Sequence, residues 1–277
     1  MTELARRTEL IIPAPAEALA GLLGVPMPDL GAGEGLPLLW HWLYLLDRPP
    51  QAALGADGHP ASGSIPSPPG PDRRRMFAGG RVTQHGPMRT GVAAIGRTWL
   101  KGTVNKQGRS GPLVFASVCR EISQNGALVV TEEQDIVYRD AAAPVHAGPA
   151  GQREEAPSPG AWHVKVDPIL LFRFSALTYN AHRIHYDREY ARDVEGYPGL
   201  VVHGPLQALL MAELSRRSLP SHAHEIAYRL VSPLCEGQGL VVTSVERADG
   251  IRAVVQDSGG RTTATAVIHP AWEKQSE

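Results

Sequence analysis

Hydrophobic and polar positions divide the chain into two successive blocks, and each block has apolar helical stretches first and strand-like stretches afterwards. In the first block a short helix is predicted near residues 16–23. The run LPLLWHWLYLL, at residues 36–46, predicts a buried helix because its apolar spacing mixes three and four rather than two. Glycine, proline and serine dominate residues 53–72, which predicts a long loop. The strands predicted after this loop cover residues 81–85, 91–104, 113–122 and 127–138.

The second block repeats this order. Asp167 and Pro168 suit the N-cap and the first position of a helix that ends near Asn180. A further helix is predicted to begin at Gly204 and Pro205, because leucines follow along one helical face. The strands predicted in this block cover residues 224–234, 240–247, 251–256 and 262–270.

Helices followed by an antiparallel meander, twice over, predict an α+β fold of the double hot-dog kind. In such a fold two antiparallel sheets each wrap a central helix, and the two sheets can join edge to edge. We divide the chain into an N-terminal hot-dog domain at residues 1–140, a linker at residues 141–160 and a C-terminal hot-dog domain at residues 161–277. The linker is assigned from its alanine-, proline- and glycine-rich composition. The repeat is one of pattern, since the two blocks share no matching letters.

Composition narrows the classes of function. The 277 residues hold 27 Lys plus Arg against 28 Asp plus Glu, so the basic excess of a nucleic-acid or membrane-surface binder is missing. Cys119 and Cys235 lie in apolar strand-like runs without metal-type spacing, which indicates unpaired thiols and a reducing compartment. The N-terminus has no signal-peptide pattern, and the most apolar window is too short to span a bilayer. We therefore expect a soluble cytoplasmic protein.

Candidate chemistry concentrates between the two helices of the second block. His182, Arg183 and His185 follow the end of the first helix, and Gly204 begins the second. Peptide N–H groups at a helix start attract a developing negative charge. An imidazole has an ordinary pKa of about 6.5, so it can act as a base near neutrality. The stretch therefore predicts a site that moves a proton while charge gathers on an oxygen.

Two runs in this stretch, LTYNAHRIHYD and PGLVVHGPLQALL, resemble the hydratase-2 signature of MaoC-like (R)-specific enoyl-thioester hydratases. The first block is similar to a narrower group of double hot-dog proteins with a degenerate N-terminal domain. That group contains type 2 hydroxyacyl-thioester dehydratases and bacterial mesaconyl-C4-CoA or itaconyl-CoA hydratases. The phrases that carry this second resemblance are LPLLWHWLYLL, RRRMFAGGRV, GRSGPLVF and EEQDIVYRD.

The resemblance assigns roles residue by residue. His185 matches the catalytic histidine, and Gly204 matches the glycine whose N–H holds the thioester oxygen. Asn180 stands where the wider signature has its catalytic aspartate, so a neutral amide replaces a carboxylate and is expected to orient water. His182 takes the place of the signature's asparagine, either touching water or supporting its neighbours. Asp187 is the nearest carboxylate, although the cap of a following helix is the more common role for such a residue.

Other residues are candidates for substrate binding, and some have a structural alternative. Arg183 suits either a free carboxylate on the acyl group or the carbonyl groups of its own loop. His203 is expected to be structural, and a metal bound by His182, His185, His222 and His224 is disfavoured because no acid or cysteine partner has ligand spacing. Lys106 and Arg109 are weaker candidates for coenzyme A phosphates than the arginine triplet. The expected substrate-binding residues are Tyr179, His182, Arg183, Arg73, Arg74 and Arg75.

By resemblance, the expected activity is the addition of water to an enoyl-CoA thioester, with mesaconyl-C4-CoA or itaconyl-CoA giving citramalyl-CoA. No cofactor and no metal are implied, and a homodimer is expected from the exposed sheet edges. A 3-hydroxyacyl-thioester dehydratase of fatty-acid metabolism is the main alternative. Because of the missing aspartate, a non-catalytic acyl-CoA-binding protein stays open, as does a thioesterase.

Overall fold

The structure is a computed structural model, and it describes residues 3–31, 35–70, 73–108, 111–141, 160–216, 218–219 and 224–270. Arg109, His222 and most of the expected linker therefore lie outside the described residues.

Ten strands form one antiparallel sheet. In the N-terminal half the strands are β1 (Glu3–Leu10), β2 (Arg73–Gln84), β3 (Ala93–Gly108), β4 (Gly111–Gln124) and β5 (Ala127–Asp140). In the C-terminal half they are β6 (Trp162–His163), β7 (His224–Leu230), β8 (Val241–Arg247), β9 (Gly250–Gln256) and β10 (Thr262–Pro270). Their order across the sheet is β1-β3-β4-β5-β2-β7-β10-β9-β8-β6. The predicted edge-to-edge joining of two meanders is thus what the structure has.

The seam between the halves is the pairing of β2 with β7, where Val82 lies opposite Ile226. A bulge interrupts the β2–β5 register between Phe77 and Gly79. Gly79 has a φ of 153°, and a Cβ added there would overlap the backbone carbonyl of Tyr228. A side chain at Gly79 is therefore excluded, and the glycine allows the two halves to approach at the seam.

The C-terminal half wraps helix α3 (Gly204–Arg216), as predicted. Leu206, Leu209, Leu210 and Met211 on this helix have no exposed surface and pack within the main core. Full burial of such side chains contributes roughly 1.5–3 kcal/mol each, so the apolar face of α3 fixes the helix on the sheet. Helix α2 (Pro168–Leu177) precedes it, and the Asp167 side chain accepts a hydrogen bond from the N–H of Leu170 at 2.9 Å, as expected of an N-cap.

The N-terminal half departs from the predictions in two ways. Its helix α1 (Ala14–Leu23) was predicted, but the long helix at residues 36–46 is only a 3₁₀ turn, Trp40–Leu43. Leu39 and Leu45, on either side of this turn, have φ values of 70° and 55°, which an α-helix excludes. Strand β1 and the first eight residues of β2 were not predicted, because their charged residues mask the apolar alternation.

The 3₁₀ turn is held by a buried polar group rather than by helical hydrogen bonds. Trp42 donates from Nε1 to Glu132 Oε1 at 2.6 Å, and His41 Nε2 lies 3.3 Å from Glu132 Oε2. Arg120 donates to the carbonyl of Leu45 at 3.1 Å. These contacts place the aromatic run on the sheet where a hot-dog helix would otherwise lie.

Both cysteines are free, with Cys235 buried and Cys119 partly buried. Within the described part of the chain, no helix is long and apolar enough to cross a membrane.

Candidate functional site

A cavity of about 890 Å³ lies between the two halves. The 3₁₀ turn's flank, β2, β4 and β5 line it on one side. On the other side it is lined by the turn after α2 and by the start of α3. Residues 180–185, which we call the histidine turn, provide most of its polar groups together with the arginines of β2. The residues of the histidine turn that line it are Asn180, His182, Ile184 and His185.

His185 is the most constrained polar group in this cavity. Its Nδ1 donates to the carbonyl oxygen of Val201 at 2.8 Å, which assigns the ring proton to Nδ1 and leaves Nε2 as an acceptor. The ring stacks on His203 with 3.6 Å between centroids. Burial, together with the neighbouring His203 and His182, lowers the pKa of His185 well below its ordinary 6.5. The imidazole is therefore neutral at neutral pH and has a free nitrogen.

Gly204 begins α3 and lines the same cavity. Among the described residues no acceptor bonds to its N–H, as expected for the first turn of a helix. A Cβ at this position would overlap Cδ1 of Leu230 and approach Cδ1 of Phe77 to 3.2 Å. Because only a glycine fits, the backbone amide can be approached from the cavity. The ring of His185 is brought next to this helix start through its stacking on the adjacent His203.

His203 supports this arrangement from below, in the structural position that was expected. Its Nε2 shares a hydrogen bond of 2.8 Å with Ser175 Oγ of α2, and the residue has no exposed surface. Burial, with the nearby His182, lowers the pKa of His203 to about 3. A neutral ring is thus stacked against His185, so it adds no positive charge to it.

Asn180 shapes the histidine turn through its side chain. Its Oδ1 accepts from the N–H of His182 at 3.0 Å, while its backbone N–H donates to the carbonyl of Ser175 at 2.8 Å. Tyr179 has a φ of 52°, so the chain leaves α2 through a left-handed residue. Asn180 and His182 are thereby aimed at the cavity, and His182 Nε2 lies 3.8 Å from Glu195 Oε1.

A loop of the N-terminal half, residues 55–60, enters the site and was missed by sequence reasoning. We call it the Asp57 loop. Asp57 Oδ2 lies 2.8 Å from His59 Nδ1, and the His59 ring packs on His182 with 4.0 Å between centroids. The signal available in the sequence was an Asp-Gly-His triplet inside a long loop, since loops often carry functional side chains.

Ligand atoms of Asp57, His59 and His182 lie within 4.8 Å of one another, which is a spacing that a metal ion tolerates. The disfavoured metal set of four histidines is a different one, and His222 lies outside the described residues. In the Asp57 loop the two atoms best placed for a metal already share a hydrogen bond. The geometry therefore favours a hydrogen-bonded pair over a metal centre.

The arginine triplet is split between three environments. Arg73 donates to the carbonyl of Pro112 at 3.1 Å and does not line the cavity. Arg74 lines it but is paired with Glu195, with 3.1 Å between Nε and Oε2. Arg75 lines it too, and no described residue makes a hydrogen bond or ion pair with its guanidinium. Burial lowers the pKa of Arg75, which stays a cation because its ordinary value is 12.5.

Two of the expected substrate-binding residues are not brought to the cavity. Tyr179 is 55% exposed and points away from it. Arg183 binds Asp187 at 2.8 Å, donates to the carbonyl of Ala56 and lies over the ring of Tyr190. Arg183 therefore takes the structural alternative, that of holding its loop. Asp187 accepts from the N–H of Tyr190 at 3.0 Å, which is the capping role rather than a catalytic one.

Comparisons with known proteins place the chain. Residues 39–236 match the family hydroxyacyl-thioester dehydratase type 2. A mesaconyl-C(4)-CoA hydratase of Chloroflexus aurantiacus is 44% identical over 92% of this chain and 91% of its own length. A crystal structure of HtdX from Mycobacterium tuberculosis superposes with a TM-score of 0.68 at 17% identity, covering 96% and 99% of the two chains. Another protein from Mycobacterium tuberculosis, described as having a double hotdog fold, gives 0.54 at 16% identity over 97% and 96%.

The fold and the site thus define a double hot-dog protein, and the predicted α+β class is confirmed. Because the family match spans more than half of the chain, the family is established as well. The chain belongs to the hydroxyacyl-thioester dehydratase type 2 family, and it is an enzyme of the hydro-lyase class.

Proposed function

We propose that this enzyme adds water to the double bond of a dicarboxylic enoyl-CoA thioester, with mesaconyl-C4-CoA or itaconyl-CoA giving citramalyl-CoA. One observation carries the reaction type: the acceptor nitrogen of His185 and the amide of Gly204 at a helix start share one cavity. Similarity to the mesaconyl-C(4)-CoA hydratase of Chloroflexus aurantiacus supports the acyl group.

In the proposed reaction His185 takes a proton from water while the water oxygen bonds to the β-carbon. The electron pair of the double bond moves toward the thioester oxygen, which the N–H of Gly204 stabilises. A preorganised donor of this kind is commonly worth about 3–4 kcal/mol. The proton then passes from His185 to the α-carbon, so that base and acid are the same group. Asn180 orients the water, and no metal or redox cofactor is needed because the thioester activates the double bond.

Arg75 is proposed to bind the free carboxylate of the acyl group. In mesaconyl-C4-CoA this carboxylate is attached to the β-carbon that water attacks, so its partner must lie close to the histidine turn. Arg75 meets this requirement, because its charge acts on His59 and on Asp57. It also has no described counter-ion of its own at hydrogen-bonding distance, so a substrate carboxylate would complete its environment.

The coenzyme A moiety is proposed to lie toward the outer end of the cavity, where basic groups continue. Arg74 and Lys106 line that cavity, and Lys106 is exposed, with Nζ 4.5 Å from the centroid of the Phe115 ring. Arg73, bound to a carbonyl beside this end, is the third candidate for phosphate contacts. A homodimer and a cytoplasmic location remain predictions from the sequence.

The test is an assay of mesaconyl-C4-CoA, itaconyl-CoA and crotonyl-CoA that follows the conjugated-enoyl absorbance and free thiol together. We expect absorbance loss without thiol release for mesaconyl-C4-CoA. Replacing Arg75 by Met should reduce kcat/KM for this substrate by about 100-fold or more, as expected for a buried charged hydrogen bond, while crotonyl-CoA loses little. Arg252→Met, at an exposed arginine on β9, serves as the matched control.

The alternatives give different outcomes in the same assay. A preference for crotonyl-CoA that Arg75→Met does not alter would indicate a dehydratase for monocarboxylic chains. Thiol release would indicate a thioesterase. Binding without any change in absorbance would indicate a non-catalytic acyl-CoA-binding protein.

A further inference from the structure

The Asp57 loop is docked firmly onto the histidine turn. The N–H of Arg183 donates to the carbonyl of Asp57 at 2.9 Å, and Arg183 Nη1 donates to the carbonyl of Ala56 at 3.2 Å. Gly58 has a φ of 88°, and any Cβ there would overlap the carbonyl of Ala181. Glycine is therefore required at the point of contact, and the side chains on either side of it have fixed positions.

Within this loop the carboxylate of Asp57 holds the ring of His59. Asp57 Oδ1 accepts from the N–H of His59 at 2.9 Å, and Oδ2 accepts from the ring at Nδ1 at 2.8 Å. The ring proton is thus on Nδ1, so Nε2 is an acceptor. His59 lines the cavity that also holds His185. Burial lowers the pKa of His59 to about 4, only partly offset by the hydrogen bond to Asp57.

The proposed reaction leaves a place for a second acceptor. Water has two O–H bonds, and His185 can accept only one of them. In the wider signature a carboxylate stands at position 180 and can accept the other. Asn180 has no group that takes up a proton, and its Oδ1 already binds the N–H of His182. The carboxylate nearest to this turn inside the site is that of Asp57, which reaches it through the His59 ring.

We propose that His59 is a further catalytic residue and that Asp57 is its positioning residue. This inference rests on the proposed hydratase function. One O–H of the attacking water is bound by His185 Nε2 and the other by His59 Nε2, so that the oxygen lone pair faces the β-carbon. The oxygen bonds to that carbon, and one water proton goes to His185 and then to the α-carbon. The second proton stays on the oxygen as the product hydroxyl group, still bound by His59.

The Asp57 carboxylate opposes the loss of this acceptor geometry. Burial would raise the pKa of Asp57, but the hydrogen bonds from His59 hold it well below its ordinary value. A charged partner on Nδ1 keeps the proton there and makes Nε2 a better acceptor, as in other carboxylate–histidine pairs. The amide of an asparagine in its place would keep the shape of the loop and lose this charge.

The experiment compares His59→Gln and Asp57→Asn with wild type, using mesaconyl-C4-CoA and the absorbance assay. We expect kcat to fall by about 100-fold for His59→Gln and by a smaller factor for Asp57→Asn, with KM nearly unchanged. The double variant His59→Gln with His185→Gln should lose much less than the product of the two single losses, because both side chains hold one water. His163→Gln and Asp193→Asn, at exposed residues, are the matched controls.

Each result has one meaning. If wild type does not hydrate the substrate, the proposed function fails first. If wild type is active and His59→Gln keeps its kcat, or if the losses with His185→Gln multiply independently, the role of His59 is overturned. Zinc or another metal bound at one equivalent by elemental analysis, with activity lost on chelation, would also overturn it in favour of a metal centre. Loss of the circular dichroism spectrum in His59→Gln would transfer the decision to Asp57→Asn, whose loop contacts through the backbone remain.

Discussion

The two halves of the molecule have the same strand order but different proportions. Strands β2 to β5 run for 12 to 16 residues, whereas β7 to β10 run for 7 to 9. The C-terminal half wraps the complete helix α3, while the corresponding aromatic run of the N-terminal half is a four-residue 3₁₀ turn. Trp42, Leu45 and Asp47, in and after this turn, line the cavity.

This difference separates two tasks. The C-terminal half has the helix start and the histidine turn, which need a rigid helix for a fixed amide. The N-terminal half gave up its long helix, and its long strands and the Asp57 loop bring Arg75 and His59 to the substrate side. We therefore expect substitutions in the histidine turn to affect rate far more than stability, and substitutions under the 3₁₀ turn to do the opposite.

The largest effect is expected at His185. His185→Ala should lower kcat by about 10³–10⁴-fold, because the general base and acid is removed. Stability should change much less, since His185 makes one side-chain hydrogen bond, to the carbonyl of Val201. The measurement is the hydration rate together with urea unfolding, and His163→Ala is the control for an exposed histidine. A rate within about tenfold of wild type would contradict the assignment of the base.

The next effect concerns the N-terminal half and is one of stability. Glu132 is 4% exposed and accepts hydrogen bonds from Trp42 and Gln134, with His41 beside it. Burial would raise the pKa of Glu132, but His41 and Arg120 hold it below its ordinary value, so it is a buried anion. Glu132→Ala should cost about 3–5 kcal/mol of unfolding free energy, because the buried partners lose their acceptor.

The control for Glu132→Ala is Glu246→Ala, at an exposed position on β8. Both are measured by urea unfolding, and the Glu132 variant should keep its kcat in whatever fraction stays folded. A stable Glu132 variant with a lost hydration rate would break the division of tasks between the halves.

The smallest effect per residue is a dependence of stability on pH. His59 and His203 have pKa values lowered to about 4 and about 3, and that of His185 is lowered as well. Between these values and 6.5 the unfolded chain binds protons that the folded chain does not, so the unfolding free energy falls as pH falls. Each such histidine contributes about 1.4 kcal/mol per pH unit in that window. Asp57 titrates below its ordinary 3.8 and adds to the loss only at lower pH.

Urea unfolding at a series of pH values between about 7 and about 4.5 measures this slope. His203→Gln should make it shallower, while His163→Gln, at an exposed site, should leave it unchanged. A stability that stays constant over this interval would show that the buried histidines take up protons without opening the site.

The sequence by itself determined the order of elements and the histidine turn. Asp167 and Pro168 predicted the start of α2, and Gly204 and Pro205 that of α3, because capping and proline chemistry are local properties of the chain. Alternation predicted most of β3 to β5 and β7 to β10 for the same reason. It could not predict the end of the helical pattern at residues 36–46, since Glu132 and Arg120, which hold the 3₁₀ turn, are more than 70 residues away.

Only the tertiary structure decided which polar residues meet. Arg73, Arg74 and Arg75 are equivalent as letters, yet alternation along β2 and the bulge at Gly79 send them to a carbonyl, a glutamate and the cavity. The Asp57 loop reaches the histidine turn across more than 120 residues of chain. Periodicity reports which side of an element is apolar, whereas contacts between distant segments depend on how the whole sheet closes.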